Sequence, residues 1–417
     1  MKRTEGDVAR VRFGRSDFFL ASHPDEIKRV LISHERDYVR DAYAYKSWRS
    51  TPRFVPPAGL LQPHSDPDVH LRARRALQPV FRRARVDAHW PALVEMALQG
   101  TAGWSDGAEI DVVSEASKIV LRLVTHVHFG GDLDVPIEEL VTDLRLCAGA
   151  TVDVSSGWHE LSSRARLGRL RRVASARERT LATLGRRLEA SRGREGDDLA
   201  TVLVRLADAE GLSEHELLLE AYGHVVNSAD TSVSTFAWAV HLLSDHPAAL
   251  DRLRHELDAA VSADGPDHDA MPYTRAVIAE TLRLYPSTWR IKRRALVDHE
   301  LGGRSVRRGA HVWVSPPLVH RDERWWPEPH RFLPERWLSE SRAVRVPLTY
   351  LPFGAGSRKC LGEQIAWREL TALLLAVLGR WELSRVSGAK VVPHAGPTLR
   401  PKGGVKVRLR RRQAAAL

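Results

Sequence analysis

A mainly α-helical fold with a small β portion is what this chain of 417 residues predicts. Apolar residues recur at helical spacing over long stretches of its middle. Short alternating segments cluster near the N-terminus, around 291–314 and at the C-terminus. Composition never shifts sharply enough to mark a linker, and no internal repeat occurs, so residues 1–417 read as a single domain.

Val8–Phe13 and Phe18–Ala21 read as two strands around a Gly14-Arg15-Ser16-Asp17 turn. Pro24-Asp25-Glu26 then opens a helix with Ile27, Val30 and Leu31 on one face. Residues 41–67 are rich in Pro, Tyr and Arg without a period and read as a long, functional loop. Helices follow over 68–84, 90–101, 111–128, 136–148, 165–190, 197–208, 213–245, 247–261 and 272–285. Short strands are expected over 291–314 around Gly302-Gly303 and Arg308-Gly309, and little regular structure over 321–350. An apolar helix runs from Leu361 to Leu378, and Val405–Arg410 alternates like an edge strand.

Hydrophobic residues make up 43% of the chain, enough for a large core. The longest apolar run, Leu370–Leu378, is far short of the roughly 20 residues that cross a bilayer. Met1 is followed by Lys-Arg-Thr-Glu-Gly-Asp, which is no signal peptide, and two cysteines give no disulfide framework. A cytoplasmic protein, monomeric and without a membrane span, is expected. The net charge of +11 comes with no zinc-finger, basic-zipper or RNA-stacking pattern. Its arginines lie among Glu and Asp on helical segments, so nucleic acid is not an expected partner, and an acidic protein is the more economical one.

The chemistry concentrates in Phe353-Gly-Ala-Gly-Ser-Arg358-Lys-Cys360-Leu-Gly362. A cysteine in a glycine-rich turn at a helix start meets free backbone N–H groups and the positive end of the helix dipole, which favour thiolate. A held thiolate suits a metal ligand. The bland alternative is a buried structural cysteine, the reading preferred for Cys147. The spacing Phe-x-x-Gly-x-Arg-x-Cys-x-Gly resembles the haem loop of the cytochrome P450 superfamily at every fixed position.

Three further motifs carry the same resemblance, in the same order. Glu280 and Arg283 share one face of a helix, and with Arg336 in Phe332-Leu-Pro-Glu-Arg-Trp337 they match the family's structural Glu–Arg–Arg network. His70 and Arg74, four apart on a helix, match its propionate-binding histidine and arginine, and Arg293 (with Lys292 and Arg294 as alternative registers) and Arg358 join them as carboxylate partners. Asn227-Ser228-Ala-Asp230-Thr231 matches the central-helix stretch whose acid and alcohol deliver protons during oxygen activation. There Asn227 and Ser228 replace two small residues. Ser228 is expected to imitate the usual helix opening by bonding back to the carbonyl near His224, and Asn227 and Ser228 become possible substrate contacts.

The resemblance extends over about residues 7–410, leaving 411–417 as a tail, with a short lead segment before Asp7. It implies haem b (iron protoporphyrin IX) ligated by Cys360 within a loop that includes Phe353, Arg358 and Gly362. The activity implied is monooxygenation of a small hydrophobic substrate with O2: a terpenoid, polyketide or fatty-acid-like compound of secondary metabolism. Electrons would come from a separate ferredoxin and ferredoxin reductase, docking on Arg72, Arg75 and Lys359. Asp230 and Thr231 are the implied catalytic residues. A peroxide-driven enzyme and a non-catalytic haem sensor stay open as alternatives. Asp230-Thr231 argues against the first, because peroxygenases of the family carry Arg-Pro there. Substrate contacts are expected in 41–65 and 150–175.

Overall fold

The computed structural model describes residues 6–13, 16–40, 67–131, 133–155, 163–260, 266–338, 346–386 and 390–412. The Gly14-Arg15 turn, most of the 41–67 loop and the end of the tail lie outside them.

Two antiparallel strands, β1 (Val8–Phe13) and β2 (Ser16–Ala21), start the fold. Pro at the first turn then opens α1 (Pro24–Lys28). A wider turn over Arg29–Ser33 continues it, burying Ile27, Val30 and Leu31 as the spacing predicts, before β3 (Tyr38–Arg40). The helix expected over 68–84 is broken: α2 (Pro67–Leu77) tightens into a 3-10 turn at Gln78–Phe81 and restarts as α3 (Arg83–Ala88). Pro79 is the cause, because it has no N–H to continue the ladder. After α4 (Trp90–Gly100) and the short β4 (Glu109–Asp111), α5 (Val112–Phe129) ends on Gly130 in the left-handed conformation. The next helix, α6 (Ile137–Ser155), runs past the expected end at 148, and α7 (Ser163–Glu189) and α8 (Leu199–Glu210) follow.

The central helix α9 (Glu214–Ser244) spans about 46 Å at 1.5 Å per residue. A reciprocal cap starts it: Ser213 Oγ accepts from the Glu216 N–H, and the Glu216 carboxylate accepts from the Ser213 N–H. Its polar stretch does not interrupt it. α10 (Pro247–Ala259) and α11 (Pro272–Leu284) pack alongside, and α9 also lies against α5 and α7. Strands β5 (Ile291–Ala295), β6 (His299–Leu301), β7 (Arg304–Val306) and β8 (His311–Val314) precede the short α12 (Pro316–Val319). The cysteine-loop helix is α13 (Glu363–Leu378), followed by β9 (Trp381–Arg385), β10 (Val392–Ala395), β11 (Leu399–Lys402) and β12 (Lys406–Arg411).

The five-stranded sheet has the order β1-β2-β8-β5-β3 and a core of its own around Phe19, Leu31, Val312 and Leu351. The larger helical core holds Leu93, Leu123, Val225, Val277 and Leu373. β12 corrects an expectation: it lies between β4 and β9, in the middle of its sheet. Its alternation, with Val407 and Leu409 buried and arginines outward, reports one covered face, and that pattern does not distinguish a central strand from an edge.

Candidate active site

Backbone conformation fixes the cysteine loop. Gly354 and Gly356 have φ of 74° and 72°, where an L side chain is strained. A Cβ on Gly356 would also meet the Leu31 carbonyl oxygen at 1.8 Å, so the loop is pressed onto the turn after α1. The Ser357 N–H donates to Glu35 Oε2 (3.1 Å), and the Cys360 N–H to the Phe353 carbonyl (2.9 Å). The Phe353 ring lies 6.0 Å from Trp367, one turn into α13. Gly362 stands at the helix start with its Cβ position 3.9 Å from Cys360 Sγ.

The expectation that the helix start lowers the thiol pKa is not met. Surrounding protein pushes Cys360 up, and the Gly362 N–H only partly offsets this. Solvent still reaches the side chain, which weakens that push compared with a sealed site. A cation bound at sulfur is what would hold it as thiolate.

Beside the loop, a cleft gathers His70, Arg293, Arg358, Tyr38, Glu35 and Ser357. His70 is buried, and among the described residues neither ring nitrogen has a hydrogen-bond partner. Burial, then the Arg358 charge, lowers its pKa to about 4, so the ring is neutral near pH 7. Arg293 is pushed down to about 9 by burial and by the charges of Arg40 and Arg358, and Arg358 to about 10 for similar reasons. Arg358 also keeps one terminal nitrogen buried without a partner among the described residues. Cations crowded together with orphaned donors make a site for anions, and they fit the two carboxylates of a haem. Arg40 joins this cluster unforeseen by the sequence reading. Arg74 is placed differently: its NH1 donates to the Lys359 carbonyl (2.6 Å), so it braces the residue before the cysteine.

On α9 the acid and the alcohol are not brought together. Adjacent helical residues point about 100° apart. Asp230 accepts from Thr398 Oγ1 (2.6 Å) and pairs with Arg400 (3.2 Å), both from the β11 side. Thr231 Oγ1 donates back to the carbonyls of Asn227 (2.8 Å) and Ser228 (3.2 Å). The back-bonding hydroxyl on this stretch is thus that of Thr231, and its acceptors lie one turn beyond the carbonyl expected for Ser228. Asn227 is exposed and Ser228 half-buried, within one turn of Thr231. Ser287 Oγ donates to the Thr231 carbonyl, and Trp289 Nε1 donates to the Gly396 carbonyl at the β10–β11 turn (2.8 Å).

Behind the loop, Glu280 collects five donors: two from Arg283 (2.8 and 2.7 Å), Arg336 Nε (3.0 Å), the Leu333 N–H (3.0 Å) and Trp337 Nε1 (2.9 Å). Arg283 spends its remaining donors on the carbonyls of His320, Pro329 and Arg331. Sequence reasoning missed Thr398 and Arg400, which lie far along the chain from Asp230. It also missed Glu369, buried on α13 and bonded to Ser232 Oγ of α9 (2.9 Å), with its pKa pushed up to about 8 by burial. A lone acid on the apolar face of a helix was the available signal. Of the surface cations, Arg72 pairs with Glu210 (2.9 Å) and Lys359 with Glu363 (2.5 Å), leaving Arg75 without an ion pair among the described residues.

The family model for cytochrome P450 matches residues 1–408. This chain belongs to the cytochrome P450 family. It is 30% identical to cyclooctat-9-en-7-ol 5-monooxygenase of Streptomyces melanosporofaciens, over 92% of this chain and 84% of that one. It is 28% identical to pentalenene oxygenase of Streptomyces avermitilis, over 97% and 90%. The crystal structure of the cytochrome P450DA haem domain superposes with a TM-score of 0.82 at 22% identity, over 98% of this chain and 90% of that one. The protein is thus a P450 monooxygenase carrying haem b. Among the described residues no helix is long and apolar enough to cross a membrane.

Proposed function

We propose that this P450 oxygenates a terpenoid hydrocarbon or alcohol of secondary metabolism, inserting one atom of O2 and releasing the other as water. Relatives named for cyclooctat-9-en-7-ol, cyclooctatin and pentalenene, each matched over more than nine-tenths of this chain, support that substrate class. The observation that carries the site assignment is the cysteine loop beside a cleft in which Arg293 and Arg358 crowd the buried His70.

In this reading residues 1–417 form one P450 domain acting as a monomer. Cys360 is the iron ligand, in a loop shaped by Phe353 and Gly362. His70, Arg293 and Arg358 hold the propionates, and Arg74 supports them by fixing the Lys359 carbonyl. When bound, the haem supplies the oxygen-activating chemistry. Thr231 offers a hydroxyl on the face of α9 that carries Asn227 and Ser228, which contact substrate. Asp230 takes part in proton supply once its carboxylate is released from Thr398 and Arg400. Glu280, Arg283 and Arg336 hold the frame. Electrons arrive from an acidic ferredoxin and its reductase, docking near Arg75. That docking weakens as salt rises, and a reduction rate indifferent to ionic strength would exclude it.

The deciding experiment is the spectrum of the reduced, carbon monoxide-bound protein. Wild type and Cys147→Ala should show the red-shifted Soret band of a thiolate ligand, and Cys360→Ala should not. The same band in Cys360→Ala would remove the assignment.

A further inference from the structure

A second cavity, of about 350 Å³, lies between α5, α6, α9 and the turn after β11. That volume falls in the range of small-molecule sites, roughly 300–1,000 Å³. It is not the cysteine cleft. On α9 it is lined by Val226, Ala229, Asp230, Val233 and Ser234, centred on the face turned away from Thr231, and among the described residues no member of α13 or the cysteine loop borders it. Leu121 and Val141 join Val226 and Val233 to give it an apolar interior.

Its charges are unequal in what they have left to bind. Asp111 accepts from the N–H groups of Val113 (3.2 Å) and Val405 (3.0 Å), so backbone already satisfies it. Gly404, at φ 80°, allows this approach: a Cβ there would meet Asp111 Oδ1 at 2.3 Å. Asp230 is matched by Arg400. Arg145 remains. It is exposed at the cavity wall, and among the described residues its guanidinium donates only to Ser114 Oγ (3.2 Å) and pairs with no carboxylate.

An apolar chamber with an unmatched guanidinium at its wall has the chemistry of an amphipathic acid site. We propose that this cavity binds an apolar monocarboxylate, with the carboxylate on Arg145 and the chain against Leu121, Val141, Val226 and Val233. A carboxylate is favoured over an alcohol because a guanidinium donates to an anion through charge-assisted, often bidentate bonds. Occupancy would reach the catalytic helix through Asp230 and Arg400, which share the lining.

The test is calorimetric titration of decanoate and of decanol into the haem-loaded enzyme, with miconazole saturating the haem side. Decanoate should bind with miconazole present, and decanol at least tenfold more weakly. Arg145→Ala should weaken decanoate at least tenfold, and Ser117→Leu, which fills the cavity from α5, should abolish binding. Both variants should keep the Soret shift with miconazole. Displacement of decanoate by miconazole, equal binding of decanol, or unchanged affinity in Arg145→Ala would each overturn the proposal. Failure of the P450 reading would instead show as an absent Soret shift, whatever the decanoate heat.

Discussion

Removing the charge of Glu280 should cost this protein most of its stability, and more than removing either arginine that faces it. Glu280 and Arg283 are fully buried and Arg336 is nearly so, which makes the cluster one anion between two cations. Glu280→Gln leaves two buried guanidiniums with no counter-charge. Breaking a buried pair costs about 3–5 kcal/mol. The Leu333 and Trp337 N–H groups also lose a charged acceptor, at roughly 1 kcal/mol or more each. The total, about 5–7 kcal/mol, is comparable to the roughly 5–15 kcal/mol that holds a whole domain folded. Arg336→Met leaves the two-pronged Glu280–Arg283 pair intact and charge-balanced. It should cost about 3–4 kcal/mol, for the lost charged hydrogen bond and for the Pro327 and Glu328 carbonyls that lose their donor. Arg283→Met falls between, because three carbonyls lose their donor as well as the carboxylate. Urea unfolding followed by far-ultraviolet circular dichroism at 25 °C ranks the three. Glu280→Gln within 1 kcal/mol of wild type, or Arg336→Met the worst of the set, would refute this charge accounting.

Four further outcomes follow from particular contacts. Glu369, with a folded pKa of about 8 against an ordinary 4.5, binds a proton in the folded state that the unfolded chain has lost. Its contribution is therefore fully favourable below pH 4.5 and is lost as pH rises toward 8. Glu369→Gln should gain stability over wild type by roughly 3 kcal/mol at pH 7, at 1.36 kcal/mol per pKa unit, and little at pH 5; a gain independent of pH would contradict this. Gly356→Ala places a Cβ against the Leu31 carbonyl in a left-handed backbone, so the variant should fold its helical core yet lose haem, read as a fallen Soret-to-280 nm ratio. Full haem content would show that the loop can shift away from α1. Thr231→Ala should keep substrate binding while diverting more reducing equivalents to peroxide, and Asp230→Asn should slow product formation, since an amide cannot pass a proton as a carboxyl group does. Peroxide yield equal to wild type in Thr231→Ala would mean that protons arrive by another route.

Local chemistry was legible in the sequence wherever neighbours along the chain decide it. Periodicity gives the helices, and Pro and Gly mark their ends. The spacing of Cys360, Arg358 and the loop glycines depends on a few adjacent residues, so it survives as a readable string. The Glu280–Arg283 pair was legible for the same reason, because three-residue spacing on a helix brings two side chains together before any tertiary contact forms. Tertiary structure alone decided what is distant. Asp230 adjoins Thr231 in the chain but turns toward Arg400, 170 residues away, because a helix rotates neighbours apart and packing selects their partners. β12 became a central strand because β4 and β9 closed on both its edges, a pairing its own alternation does not encode. The thiol of Cys360 was expected to be lowered by its helix start, yet the protein packed around it pushes it up. Burial is a property of everything that surrounds a group, and no short stretch of sequence carries it.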